Sequence, residues 1–133
     1  MFSLKNKVAV VTGASRGIGK SIAKIYAKAG AHVSCISRNK DTLKDMVESI
    51  ISNGGSASIN AFDVSKSIEF QDNINDIVKE YGTIDILVNN AGITIDKLIM
   101  RMNDDDWNKV LEVNLKGAFN GIKSVTRTMM KAR

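Results

Sequence analysis

The stretch VVTGASRGIGKSIA sets Gly13, Gly17 and Gly19 at G-x-x-x-G-x-G spacing between an apolar run and a helical pattern. Glycines at such a junction turn the chain tightly and let the start of a helix come close to a bound group. The free N–H groups and the positive end of the helix dipole then favour a phosphate. The spacing is not the G-x-G-x-x-G of the standard dinucleotide fingerprint. Tight turns need glycine in any case, so it is the placement between strand and helix that favours phosphate binding. A second glycine-bearing loop, NNAG, occupies residues 89–92. No serine, histidine or cysteine completes a nucleophile and base set. His32 falls at the start of a strand and reads as a surface residue. Cys35 lies in an apolar run and reads as inert core, and one cysteine allows neither an internal disulfide nor a metal cluster.

The elements that must position these loops alternate. KVAVVTG, HVSCIS, ASINAF and IDILVNNAG read as four strands, each a short apolar run bounded by turn residues. Between them run three helical patterns. The first carries Ile18, Ile22, Ile25, Tyr26 and Ala29, the second Leu43, Met46, Val47, Ile50 and Ile51, and the third Ile68, Ile74, Ile77, Val78 and Tyr81. A fourth helix begins near Asn103, with Asp104, Asp105 and Asp106 in the first turn where the dipole favours anions. Its apolar stripe is Trp107, Val110, Leu111, Leu115, Ala118, Phe119 and Ile122. Asn114 falls on that stripe, and an amide facing a packed interior needs a hydrogen-bond partner. Strict alternation of strand and helix implies right-handed crossovers and a parallel sheet covered on both faces, an α/β doubly wound fold in one domain over residues 1–133. In the order 3-2-1-4 the chain reverses direction between strands one and four, so TGASRGIG and NNAG meet at the crevice where such sheets bind ligands.

Composition excludes several classes. Apolar residues make up 44% and charged residues 25%, as in ordinary soluble domains, and no run approaches the roughly 20 apolar residues of a membrane span. The start MFSLKNK lacks the apolar core of a secretory signal, which places the protein in the cytoplasm. A net charge of +5 would suit a nucleic-acid partner, but Lys20, Lys24 and Lys28 form one solvated helix row and 5% aromatics leave little to stack on bases.

TGASRGIG with NNAG downstream resembles the short-chain dehydrogenase/reductase family over the whole chain, and NNAGITIDKLIMRMNDDDWNKVLEVNLKGAF is similar to its 3-oxoacyl-acyl-carrier-protein reductases. The resemblance implies a Rossmann fold and a nicotinamide dinucleotide at Gly13, Ser15, Arg16, Gly17, Ile18 and Gly19. It implies Asp63 and Val64 at the adenine, and Asn90, Ala91 and Gly92 along the ribose. An NAD enzyme carries an acid at the end of strand two, whereas Ser37 and Arg38 stand here with Arg16 nearby, which favours NADP (NADPH). Asn114 matches the helix-four active-site asparagine, implied to organise a water for proton relay. Ile95 and Lys97 depart from the usual arginine and asparagine of the subfamily.

The rest of the implied relay is a serine after strand five and a Tyr-x-x-x-Lys. Tyr26 and Tyr81 are followed four residues on by Gly30 and Asp85, so neither qualifies. The expectation is a cofactor-binding half that ends with helix four, before strand five, and is inactive alone. Two readings stay open: an NADPH-dependent reductase of acyl-carrier-protein, acyl-CoA or other ketone substrates, or a non-catalytic nucleotide-binding or assembly module. The resemblance further implies a homo-oligomer, a tetramer, packing helices four and five.

Overall fold

The computed structural model describes residues 2–133. Four strands, β1 (Val8–Thr12), β2 (His32–Ser37), β3 (Ser56–Ala61) and β4 (Ile86–Val88), form one parallel sheet in the order β3-β2-β1-β4. Helices α1 (Gly17–Lys28), α2 (Lys40–Ser52) and α3 (Ser67–Tyr81) make the crossovers. After β4 a short 3-10 turn (Ile99–Arg101) leads to α4 (Asp104–Leu111), which runs through a π-helical stretch (Glu112–Lys116) into α5 (Gly117–Ala132). Asn103 caps α4 in a reciprocal box with Asp106, as the polar start of that helix suggested.

Alternate residues of a strand face opposite sides of the sheet. Val11, Val33 and Cys35 therefore meet Ala23, Ala27, Leu43, Met46 and Ile50 of α1 and α2. Val8, Val10 and Ile36 meet Phe70, Ile74 and Ile77 of α3 and Val125 of α5. Burial pushes the Cys35 thiol up to about 12, which fits inert core.

The helix faces differ from their periodicity. On α1, Ile18 is 73% exposed and Ile25 also faces solvent, while Gly19, Ala23 and Ala27 turn inward. The fully buried positions of α1 are small, while Ile22 and Tyr26, which the pattern also placed inward, pack against the core from its edge. On α2 Ile51 points out, and on α3 Ile68 does, its place taken by Phe70. On α4 and α5 the expected stripe is turned away from the sheet: Trp107, Leu111, Leu115, Phe119 and Ile122 are exposed, and Gly117, Asn120, Gly121, Ser124 and Val125 are buried. A Cβ on Gly121 would lie 2.6 Å from Asn89 Oδ1, so the approach itself selects glycine. No helix among the described residues is long and apolar enough to cross a membrane.

His32 is not a plain surface residue. Its ring stacks on Tyr81 at 3.8 Å, with Nδ1 2.6 Å from Ser56 Oγ and Nε2 3.1 Å from Ser58 Oγ. Burial lowers its pKa, outweighing the opposite pull of Glu80. The unfolded chain therefore takes up this proton first as pH falls. The stability that neutral His32 contributes is complete above about pH 6.5 and is lost as pH drops through that value toward the folded pKa. In thermal melts taken between about pH 7.5 and 5.5, the unfolding midpoint should drop further for the wild type than for His32→Asn. Equal drops would show that His32 is not responsible.

Candidate functional site

Gly13 leaves β1 at φ +63°, a backbone state costly for residues with a Cβ. A Cβ there would sit 2.9 Å from Ala91 Cα and 3.0 Å from Asn90 Nδ2. One on Gly19 would overlap both the Gly13 carbonyl and Asn90 Nδ2. The two glycine-bearing loops are thus in contact at the carboxyl ends of β1 and β4, where the sheet changes direction. Asn90 Nδ2 donates to the carbonyls of Thr12 at 3.3 Å and Gly13 at 3.2 Å.

Thr12 is one of the residues that sequence reasoning missed. Only 2% exposed, it accepts at Oγ1 from the N–H groups of Asn90 (3.0 Å) and Ala91 (2.9 Å), and donates to the Val88 carbonyl at 3.3 Å. The available signal was a hydroxyl closing an apolar strand, since a buried hydroxyl there must find partners.

A cleft of about 300 Å³ opens above this junction. Gly13, Ser15, Arg16, Gly17, Ile18, Ser37, Arg38, Asp63, Val64, Asn90, Ala91 and Gly92 all line it. Gly19 lies beneath the cleft and does not line it. Four unanticipated residues, Ile36, Phe62, Ile93 and Val113, supply apolar walls. Next to it a basic recess joins Arg16, Ser37 and Arg38 to Lys40 and Thr42. The N-termini of α2 and α4 are capped by Asn39 and Asn103, those of α1 and α3 have no side-chain cap, and of these two α1 alone has no acid in its first turn. A Cβ on Gly17, at φ +57°, would meet nothing within 4 Å, so the cleft is open over these first amides. An uncapped, unobstructed helix start is the feature that fits a phosphate.

Burial raises the Asp63 carboxyl, but bonds from Ser65 N (2.9 Å) and Oγ (2.8 Å), with Arg38 and Lys66 nearby, outweigh it and hold the pKa below the ordinary value. Both bonds end on Oδ1, and Asp63 stands as an ionised acceptor at the cleft wall.

Asn114 does not face a packed interior. It is exposed within the π-helical stretch, and its amide is nonetheless satisfied: Oδ1 accepts from Ile93 N at 2.8 Å and Nδ2 donates to the Ile93 carbonyl at 3.0 Å. It stands behind Gly92 and Ile93 and does not line the cleft. Among the described residues no group of three or more metal-ligating side chains gathers.

The short chain dehydrogenase family model matches residues 7–133. The chain is 44% identical over 129 residues to a 3-oxoacyl-[acyl-carrier-protein] reductase of Staphylococcus epidermidis, covering 96% of this chain and 53% of that protein. It is 43% identical over 131 residues to the reductase of the same name from Salmonella typhimurium, covering 98% and 52%. The chain thus spans about half the length of these curated relatives. Among solved structures, a metagenomic short-chain oxidoreductase in complex with NADP superposes with a TM-score of 0.93 at 34% identity, covering 97% of this chain and 59% of the other. A gluconate 5-dehydrogenase from Burkholderia cenocepacia, in complex with NADP and tartrate, gives 0.90 at 34% identity, covering 98% and 51%.

The β1–β4 junction makes Thr12 a sensitive position near the cleft. Thr12→Val keeps the shape but leaves two part-buried N–H groups without their acceptor, a loss of about 2–4 kcal/mol in denaturant unfolding. Thr12→Ser, which keeps the oxygen, should lose less than half of that. Similar losses for both would place the cost in packing and not in these bonds.

Proposed function

The chain belongs to the short-chain dehydrogenase family, and from that premise we propose that it is the cofactor-binding half of an NADPH-dependent 3-oxoacyl-[acyl-carrier-protein] reductase. The observation that carries the proposal is the uncapped start of α1, opening into a cleft whose neighbouring recess holds Arg16, Arg38 and Lys40 with no acid. In this reading the pyrophosphate lies over the first turn of α1, and Arg16, Ser37 and Arg38 take the 2′-phosphate. Asp63 and Val64 border the adenine, and Asn90, Ala91 and Gly92 follow the ribose toward the nicotinamide end. The bound dinucleotide supplies a hydride to the β-carbonyl carbon of the substrate. The residues of this chain bind and orient it. With its amide committed to Ile93, Asn114 serves the proton relay by fixing the Gly92–Ile93 backbone and a water beside it. The Tyr-x-x-x-Lys pair that donates the proton comes from outside these 133 residues. Such a protein works in the cytoplasm.

Two surfaces fit the same reading. The outward apolar stripe from Trp107 to Ile122 suits a homo-oligomer, and the basic end MMKAR, with Lys131 and Arg133 exposed, suits an acidic carrier protein.

The test is loss of NADPH absorbance when the full-length protein carrying this half, or this chain combined with one that supplies the Tyr-x-x-x-Lys, meets a 3-oxoacyl substrate on its carrier; no oxidation of NADPH by that complete protein would reject the reductase reading. Cofactor choice is separable. A hydrogen bond to a charged phosphate is worth roughly 1.5–3 kcal/mol, so Arg38→Ala should weaken NADPH binding about 10- to 100-fold. NADH binding should hardly change, and equal losses for both cofactors would exclude the 2′-phosphate assignment. Carrier docking is read by Arg133→Glu, expected to raise KM for the carrier-bound substrate, spare a small free ketoester, and matter less at high salt. An unchanged carrier KM would favour a CoA thioester or a free ketone.

A further inference from the structure

We propose that Asn120 is a positioning residue for the adenine end of the cleft, acting through Val64 without lining the cleft itself. The inference rests on the dinucleotide reading above. Asn120 is 3% exposed, on the inner face of α5. A polar amide persists in such a place only when it is hydrogen-bonded. Its Nδ2 donates to the carbonyl of Val64 at 2.9 Å, a bond spanning 56 residues of sequence. Val64 belongs to the loop between β3 and α3, and with Asp63 it forms one wall of the cleft.

The contact is prepared by Gly117, about one turn earlier. A Cβ on Gly117 would lie 2.8 Å from Val64 Cγ2, so glycine lets α5 come down on this loop and Asn120 then holds it there. The other wall is held by the same helical run, because Asn114 binds both backbone groups of Ile93. Two amides six residues apart, about 9 Å along a helix at the usual rise, therefore grip the Val64 wall and the Ile93 wall. The opening between those walls depends on a helix whose gripping side chains do not line the cleft.

This geometry separates two parts of a bound dinucleotide. Adenine needs the Asp63–Val64 wall in place. A pyrophosphate group needs only the glycine loop and the start of α1, which are held by Thr12 and Asn90. Loss of the Asn120 donor should therefore weaken adenine-bearing ligands and leave pyrophosphate binding alone.

The experiment is isothermal titration of the wild-type protein and of Asn120→Leu with 2′,5′-ADP and, separately, with inorganic pyrophosphate. Leucine keeps the volume and removes the donor. The expected result is on the order of tenfold weaker binding of 2′,5′-ADP, with pyrophosphate affinity within about twofold of wild type. Asn120→Ser, whose shorter hydroxyl falls short of the Val64 carbonyl, should show the same split and serves if the leucine variant does not fold. Unchanged 2′,5′-ADP affinity in a folded variant overturns the positioning role alone. Parallel losses for both probes mark a general loosening of the site and overturn it as well. A wild-type protein that does not bind 2′,5′-ADP overturns the dinucleotide reading and this inference together.

Discussion

The contact between the ends of β1 and β4 is the constraint on which the rest of the structure depends. Two loops that are 76 to 79 residues apart in sequence are tied through one hydroxyl and one amide. The tie is so close that the backbone at Gly13 and Gly19 has no room for a Cβ. Once the loops are joined, α1 must start directly over them and run down the sheet at short range. That approach accounts for the small inner face of Gly19, Ala23 and Ala27. It also accounts for the uncapped helix start: a side-chain cap on α1 would occupy the space where the cleft opens.

The architecture was legible in the sequence for a simple reason. Short β-branched runs alternating with 3.6-residue periodicity leave few topologies, and handedness removes most of those. Strand two was read to the residue, and the order β3-β2-β1-β4 followed from the same alternation. The cleft was legible because its residues cluster in loops, where glycine and polar types are the pattern itself. Thr12 was not, because a threonine in an apolar strand looks like any β-branched residue until its partners on another strand are known.

The faces of the helices were the least legible part. Periodicity assumes that large apolar side chains point inward, which holds where helix and sheet are far enough apart to accommodate them. On α2 they are, and Leu43, Met46, Val47 and Ile50 are all buried. On α1 and α5 the separation is set by glycines, so small residues take the inner face and large ones are displaced outward. The π-helical stretch adds a second displacement. Its wider turns shift the phase of everything that follows relative to an α-helical reading, and Asn114 sits within it. Lys97, which departs from the pattern that the sequence resembles, pairs with Asp106 at 2.8 Å and tethers the preceding loop to α4. An exposed pair of this kind contributes little stability, so its effect is on where the loop lies.

The helical run from α4 to α5 therefore has two unlike sides. Its inner side gives up apolar contact for glycine and amide, which is costly for a layer that must cover a sheet. What the run provides is grip: Asn120 from the inner side on Val64 and the exposed Asn114 on Ile93, one on each wall of the cleft. Its outer side keeps the large residues Trp107, Leu111, Leu115, Phe119 and Ile122, which gain little from folding while they face water. Their stabilising contribution is realised only when another surface covers them. Any such surface would restrain the helix from outside, and a restrained helix holds both walls through the two amides. In this fold, the outer stripe and the two amides that hold the cleft walls belong to one continuous helical run.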